Sequence, residues 1–210
     1  MKPNAALARF YPIVPDADWV ERIVPLGVGM VQIRMKGSEP NEVKSHLRRA
    51  LTACKKLNCQ LIVNDHWREA IEVGADYIHL GQEDLESADL AAIRAANIRI
   101  GISTHDDDEL TKALAADADY IALGPIYETK LKAMRWAPQG LARVTEWKSR
   151  IASKPLVAIG GITPERATGV LEAGADSLAV ITDFMSHPDP DARIVEWLRW
   201  ANEYPGKMRR

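Results

Sequence analysis

The first chemical signal in the chain is a set of polar side chains that recurs at every second residue. Gln32, Arg34 and Lys36 alternate with apolar residues, and in a β-strand such residues share one face. Two cations and an amide on the inner face of a buried strand are costly unless they bind an anion. The pattern therefore predicts an anion site, with an internal layer of ion pairs as the structural alternative.

Carboxylates follow the next two apolar runs. Asn64 and Asp65 end one run, and Asp84 comes just after the other. Carboxylate and amide oxygens suit Mg²⁺, and beside Arg34 and Lys36 such an ion would bind a phosphate or diphosphate. Taken alone, the two aspartates are equally compatible with capping of the helices that follow them.

A second anion site is predicted near the end of the chain. Gly160 and Gly161 follow an apolar run and precede a helix that starts at Thr163, and a later run ends at Ile181 and Thr182. Backbone N–H groups at such positions, where a strand gives way to a helix, bind phosphate groups. Two anion sites of this kind indicate two phosphorylated small-molecule ligands and a group-transfer reaction.

Two further segments offer polar groups. Ser103 lies at the end of a fifth apolar run, and the irregular stretch 128–138 carries Thr129, Lys130 and Lys132. A lysine on a mobile loop can close over an anionic ligand and exclude water. A solvated run of charges is the alternative interpretation of this stretch.

Eight βα units must position these residues. Short apolar runs alternate with amphipathic segments, which is typical of parallel strands joined by helices. The predicted strands lie in segments 9–15, 25–36, 60–65, 73–82, 98–104, 116–127, 155–162 and 173–184. Eight units without an insertion predict a single-domain α/β (βα)8 TIM barrel over residues 1–210, with the active site at the carboxyl ends of the strands. An open doubly wound sheet would use the same alternation, but no G-x-G-x-x-G follows the first strand.

Composition narrows the choice of partners and location. Lys and Arg total 27 against 29 Asp and Glu, and this balance argues against nucleic-acid binding. No apolar run approaches the roughly 20 residues of a membrane span, so we expect no membrane partner. Two cysteines, Cys54 and Cys59, cannot build a disulfide framework and favour a cytoplasmic location. We expect a disordered tail at 205–210, and exposure of Trp200 would favour a homo-oligomer.

Taken in order, these motifs resemble the thiamine-phosphate synthase family. The matching segments are VQIRMK (31–36), IVND (62–65), IHLGQEDL (78–85), GISTHDDDEL (101–110), YIALGPIY (120–127), APQGL (137–141), VAIGGIT (157–163) and LAVIT (178–182). The resemblance implies a Mg²⁺-dependent transferase of thiamine biosynthesis. Such an enzyme joins 4-amino-2-methyl-5-hydroxymethylpyrimidine diphosphate to hydroxyethylthiazole phosphate by a dissociative substitution, and it releases diphosphate without a protein nucleophile.

The resemblance also implies a role for each candidate residue. The pyrimidine diphosphate would be bound by Gln32, Arg34, Lys36, Asn64, Ser103 and Lys132. One Mg²⁺ per subunit would be bound by Asp65 and Asp84. The thiazole phosphate would be bound by Thr129, Gly161, Ile181 and Thr182. The catalytic residues would be Lys132, Arg34 and Ser103, which would stabilise the leaving diphosphate and the pyrimidine cation.

One position departs from the family pattern and keeps two alternatives open. Leu131 stands where the family loop carries a second threonine, so a hydroxyl contact to the thiazole phosphate is lost. A related thiazole tautomerase would instead need a general acid or base, for which His79 and His105 are the candidates. A non-catalytic sensor of thiamine precursors is the other alternative, and Leu131 is the feature that favours it.

Overall fold

The chain folds into a closed barrel of eight parallel strands. The computed structural model describes residues 7–129 and 136–205. The strands are β1 (Phe10–Val14), β2 (Met30–Ile33), β3 (Gln60–Asn64), β4 (Tyr77–Leu80), β5 (Arg99–Thr104), β6 (Tyr120–Leu123), β7 (Leu156–Ile159) and β8 (Ser177–Val180). Each strand pairs with the next, and β8 pairs with β1. The predicted TIM barrel is confirmed, while the single-domain assignment stays a prediction.

Helices cover the outside of the barrel. Their bounds are α1 (Ala17–Ile23), α2 (Pro40–Lys56), α3 (Trp67–Val73), α4 (Gln82–Ser87), α5 (Leu90–Ala95), α6 (Asp107–Ala115), α7 (Gly140–Arg150), α8 (Pro164–Glu172), α9 (Thr182–Met185) and α10 (Pro190–Glu203). The sequence analysis does not predict α4 or α9, because elements of six and four residues are too short to show a helical repeat. Both lie at the carboxyl ends of strands, where they place Asp84 and Thr182 on helices.

Four strands end at least three residues before the segments predicted for them. β2 ends at Ile33, β6 at Leu123, β7 at Ile159 and β8 at Val180. After β7 the reason is visible in the backbone, because Gly160 and Gly161 have φ angles of 104° and 64°, outside the range of strands. The residues predicted at the ends of these strands therefore lie beyond them, in the loops and helix starts that follow.

Tyrosine rings fill much of the barrel interior. Tyr11, Tyr77 and Tyr120 are all buried there, each on a different strand. Gly101 on β5 makes room for one of them, since an ideal Cβ at this position would lie 2.0 Å from Cζ of Tyr120. The interior is thus a packed core, and the described residues line one cavity at each of its two ends.

The expectations for residues away from the strand ends have mixed outcomes. Cys54 is buried in the core beneath the helices, and Trp200 is half-buried, with its indole nitrogen donating to Thr168 Oγ1 at 3.1 Å. A homo-oligomer stays a prediction. Within the described residues, none of the helices combines the length and the apolar character needed to cross a membrane. Residues 206–210 of the expected tail lie outside the described part of the chain.

Candidate active site

The carboxyl ends of the strands surround a cavity of about 640 Å³. Eight of the residues predicted to bind substrate line it: Gln32, Arg34, Asn64, Ser103, Thr129, Gly161, Ile181 and Thr182. Their strands, β2, β3 and β5 on one side and β6 to β8 on the other, meet only because the barrel closes. The structure therefore brings residues of both predicted anion sites to one cavity, although Lys36, Asp65 and Asp84 are not among the residues that line it.

The basic residues after β2 are arranged differently from the sequence expectation. Gln32 is 2% exposed and points into the barrel, but Arg34 and Lys36 are exposed. The interpretation that two cations lie buried on the inner face of a strand is wrong, because β2 ends at Ile33 and both residues follow it. Arg34 still lines the cavity, so its guanidinium can bind an anion without a large desolvation cost.

The two aspartates lie close together beside the cavity. Burial raises the pKa of Asp84, as do the negative charge and a hydrogen bond of Asp65, whereas the positive charge of Lys36 opposes the rise. Asn64 Nδ2 donates to Asp65 Oδ2, and the backbone N–H of Gly81 donates to Oδ1 at 3.3 Å. Neither aspartate is the N-cap of the helix that follows it. The alternative that they are N-caps is therefore wrong, but Asp84 accepts a hydrogen bond from its own backbone N–H in the first turn of α4. The pair forms an acidic site next to a lysine.

The floor of the cavity is a chain of hydrogen-bonded side chains. It runs from Gln32 Nε2 to Tyr11 OH at 2.8 Å and from Tyr11 OH to Tyr120 OH at 3.1 Å. It continues from Tyr120 OH to His79 Nδ1 at 2.7 Å, and from His79 Nε2 to Ser103 Oγ at 2.8 Å. Burial, with a smaller contribution from the positive charge of Arg34, lowers the pKa of His79 to about 4, so the imidazole is neutral at pH 7.

The opposite wall of the cavity is formed by backbone. Gly161 approaches the loop after β6 so closely that an ideal Cβ would lie 2.4 Å from the carbonyl oxygen of Glu128. Arg166, on the first turns of α8, donates to the carbonyl oxygen of Gly161 at 2.9 Å, and its guanidinium lies over the ring of Tyr127 at 4.8 Å. Arg166 also lines the cavity, and it places a positive charge beside the glycine loop.

The loop after β8 is tied to the outer helices. Asp183 accepts from Arg193 Nε at 2.8 Å and from Nη2 at 2.9 Å, and from Trp197 Nε1 at 2.7 Å. A carboxylate held by two parallel guanidinium bonds is well fixed. Because Asp183 directly follows Thr182, this clamp holds the backbone at Ile181 and Thr182 in place at the rim.

A family model described as thiamine monophosphate synthase matches residues 10–184. The chain belongs to the thiamine monophosphate synthase family.

Individual relatives agree with this assignment. The chain is 59% identical over 189 residues to the thiamine-phosphate synthase of Rhizobium etli. This alignment covers 90% of this chain and 93% of that relative. It is 47% identical over 192 residues to the thiamine-phosphate synthase of Neisseria gonorrhoeae. This alignment covers 91% of this chain and 94% of that relative. Among solved structures, the thiamine phosphate pyrophosphorylase of Pyrococcus furiosus superposes with a TM-score of 0.83 at 26% identity and covers 95% of this chain and 98% of that one.

Membership of the thiamine monophosphate synthase family confirms three sequence predictions: the resemblance, the synthase activity and the transferase class. The roles of individual residues are not tested by it and stay predictions. Lys130, Leu131 and Lys132 lie in 130–135, outside the described residues.

Hydrogen bonds join the residues that precede 130–135 to those that follow it. The backbone N–H of Gln139 donates to the carbonyl oxygen of Pro125 at 2.7 Å, and that of Gly140 donates to Ile126 at 3.0 Å. Gln139 Nε2 also donates to the carbonyl oxygen of His105 at 2.9 Å. These hydrogen bonds tie the start of α7 to the residues after β6 and to His105 at the rim of the cavity.

Three residues in or beneath this cavity were not found from the sequence. Tyr11 and Tyr120 read as ordinary core positions within apolar runs, and their hydroxyl contacts cross the barrel between distant parts of the chain. Arg166 carries a usable signal, because it follows the Gly-Gly motif within one turn of the helix. A cation at that place is consistent with phosphate binding.

The neutral state of His79 predicts a loss of stability in mild acid. Its folded-state pKa of about 4 lies below the ordinary value of 6.5, so between these values the unfolded chain binds a proton that the folded chain does not. The contribution of His79 to the free energy of unfolding is fully present above this range, and it is lost as the pH falls from 6.5 toward 4. We expect His79 to account for about 2 kcal/mol of lost unfolding free energy between pH 7 and pH 5.

Urea unfolding at the two pH values measures this effect. His79→Gln should remove that part of the pH dependence, whereas His187→Gln, which changes an exposed histidine, should keep it. Equal pH dependence in wild-type protein and His79→Gln would contradict the assignment.

Proposed function

We propose that this cavity catalyses the joining of the pyrimidine diphosphate to the thiazole phosphate, with release of diphosphate. The observation that carries the proposal is a single cavity lined by Arg34 on one side and by Gly161 and Arg166 on the other. Cationic and acidic side chains follow β2 to β4, and glycine backbone follows β7. A cavity of about 640 Å³ lies within the range of small-molecule sites. The reaction needs both phosphorylated substrates there at once.

We assign the side of β2 to β4 to the pyrimidine diphosphate. Arg34 lines the cavity and Lys36 lies near the acidic pair, so both can neutralise charge that develops on the leaving diphosphate. Gln32, Asn64 and Ser103 would hold the pyrimidine end. We infer that no protein nucleophile takes part, because an electron-rich aminopyrimidine supports the cation that forms when diphosphate leaves.

We propose that Asp65 and Asp84 bind Mg²⁺. The donor set fits a hard cation, since the two carboxylates lie close enough to raise the pKa of Asp84 and a divalent ion would relieve their repulsion. Within the described ranges, no group of three or more His, Cys, Asp or Glu residues could hold a metal. Mg²⁺ commonly uses one or two carboxylates together with water and substrate phosphates. When bound, the ion would neutralise diphosphate charge.

We assign the opposite wall to the thiazole phosphate. Gly161, Ile181 and Thr182 offer backbone at the loops after β7 and β8, the usual phosphate site of this fold, and Thr129 lies on the same cavity. Arg166 adds a cation beside Gly161. This arrangement leaves the thiazole nitrogen free to attack the methylene carbon of the pyrimidine. We keep Lys132 as a further diphosphate ligand and catalytic residue, and a cytoplasmic location, as predictions.

A coupled assay tests the proposed function. Purified protein is incubated with Mg²⁺ and both substrates, and thiamine phosphate and diphosphate are quantified with EDTA as the control. We expect both products in equal amounts and only with Mg²⁺. Binding of both substrates without product would favour a sensor, and product formation in EDTA would contradict the metal assignment.

The tautomerase alternative loses support from the geometry of its two candidate bases. His79 is buried and hydrogen-bonded at both ring nitrogens. His105 lines the cavity, but its Nδ1 and backbone N–H both bond Glu109 Oε2 at 2.7 Å. That pairing is part of the start of α6, where Asp106 caps the helix by accepting from Glu109 N–H. We therefore infer that His105 serves the helix start and retain the synthase reaction.

A further inference from the structure

The hydrogen-bonded chain beneath the cavity joins two residues that face the substrates. Gln32 stands at one end and Ser103 at the other, and both line the cavity. Between them, Tyr11, Tyr120 and His79 are buried and come from β1, β6 and β4. Each link is 2.7 to 3.1 Å long. The chain thus crosses the barrel interior without a break.

All hydrogen bonds of this side-chain series run in one direction, because each tyrosine hydroxyl has a single proton to donate. Gln32 Nε2 donates to Tyr11, so the hydroxyl proton of Tyr11 is available to Tyr120, and that of Tyr120 is available to His79 Nδ1. A neutral imidazole that accepts at Nδ1 carries its proton on Nε2, where it is donated to Ser103 Oγ. Ser103 Oγ therefore accepts a hydrogen bond from His79 Nε2, and its hydroxyl proton can be donated to a ligand in the cavity.

The other end of the chain offers the opposite polarity. Because Gln32 uses an N–H of its amide on Tyr11, its carbonyl oxygen remains available as an acceptor at the cavity. The cavity floor thus presents an acceptor at Gln32 and a donor at Ser103. An aminopyrimidine shows the complementary pattern, since its exocyclic amino group donates and the adjacent ring nitrogen accepts.

We propose that Tyr11, Tyr120 and His79 are positioning residues that fix this polarity and so make the cavity selective for an amino-substituted pyrimidine. The choice of ligand rests on the proposed function, whereas the polarity of the chain does not. The family resemblance implies that Ser103 contacts the amino group of the pyrimidine. In this proposal Ser103 instead donates to the ring nitrogen beside that amino group. A 4-oxo pyrimidine diphosphate carries a ring N–H and a carbonyl instead, so its carbonyl would face the acceptor at Gln32 and its ring N–H would face the donor at Ser103.

Nitrogen NMR of the ligand-free protein tests the polarity directly. Histidine ¹⁵N shifts at pH 7.5, with His79 assigned by the loss of its signals in His79→Gln, should show one tautomer with the proton on Nε2. Tyr120→Phe removes the donor to Nδ1 and should disturb that tautomer. Tyr77→Phe is the matched control, because Tyr77 packs against Tyr120 at 5.6 Å between ring centres. Its buried hydroxyl has no hydrogen-bond partner among the described residues.

Kinetics test the consequence for substrate. Tyr120→Phe should raise KM for the pyrimidine diphosphate about tenfold and leave KM for the thiazole phosphate within twofold, and Tyr77→Phe should change neither. In a Ser103→Ala background, Tyr120→Phe should add no further effect, because it acts through Ser103. Wild-type protein should also prefer the amino over the 4-oxo substrate by at least about 100-fold.

Two results would overturn the proposal while leaving the synthase activity intact. One is a proton on Nδ1 of His79, which would reverse the chain, and the other is an equal response of Tyr77→Phe and Tyr120→Phe in both the spectra and KM. By contrast, the predicted tautomer in a wild-type protein that makes no thiamine phosphate would overturn the proposed function and retain the polarity of the floor.

Discussion

Replacing Asp84 with asparagine is expected to lower kcat at least about 100-fold, which corresponds to about 2.7 kcal/mol of lost transition-state stabilisation. Asp84 and Asp65 form the acidic pair beside the cavity, and an amide in place of one carboxylate weakens binding of a hard cation. Diphosphate would then leave with less of its charge neutralised. The Mg²⁺ concentration for half-maximal activity should rise as well.

The stability of the same variant should move in the other direction. Because the charge of Asp65 raises the pKa of Asp84, removal of one charge relieves repulsion in the metal-free protein. The urea midpoint of Asp84→Asn in EDTA should equal or exceed that of wild-type protein. An activity loss with this stability profile cannot be attributed to unfolding.

Glu83→Gln provides the control for Asp84→Asn. Glu83 is the preceding residue on α4, it is exposed, and it lies in the same first turn. The substitution removes the same charge from the same helix, so kcat and Mg²⁺ dependence should remain within twofold of wild type. Turnover of Asp84→Asn at the wild-type rate under limiting Mg²⁺ would refute the metal-ligand assignment.

Gly161→Ala is expected to disrupt the cavity wall although it adds a single methyl group. The φ angle of 64° disfavours a residue with a side chain, and the added Cβ would lie 2.4 Å from the carbonyl oxygen of Glu128. Backbone strain and overpacking together should cost about 3 kcal/mol of unfolding free energy. The displaced loop should raise KM for the thiazole phosphate at least tenfold, with a smaller change for the pyrimidine diphosphate.

Gly74→Ala distinguishes the effect of backbone strain from the effect of a steric clash of the added Cβ. Gly74 has a similar φ angle of 72°, but no atom lies within 4 Å of an ideal Cβ there, and it follows α3 away from the cavity. Its substitution should cost about 1 kcal/mol and leave both KM values unchanged. Equal losses of stability in the two variants, with unchanged KM for the thiazole phosphate in Gly161→Ala, would argue against a phosphate site at this loop.

The fold and most of the cavity rim could be predicted from the sequence, because both depend on local patterns of residues. Eight apolar runs of strand length predict the barrel, and the rule that parallel strands end at one side brings Asn64, Ser103 and Gly161 together. The burial of Arg34 and Lys36 was predicted incorrectly. Two-residue periodicity shows which residues would share a face while the strand lasts, but not that β2 ends at Ile33.

The floor of the cavity could not be predicted for a different reason. Tyr11 and Tyr120 are 109 residues apart in the chain, yet their hydroxyls are 3.1 Å apart. Such a contact depends on the stagger of strands around the closed barrel, which no single segment encodes. The position of His79 within a strand was evident, but its two hydrogen-bond partners were not.

The glycine opposite Tyr120 ties the evolution of this enzyme's core to that of its substrate preference. Gly101 leaves the space that the Tyr120 ring occupies, and the hydroxyl on that ring belongs to the cavity floor. A lineage that enlarged residue 101 would have to shrink residue 120 in the same step, and it would lose the hydroxyl as it did so.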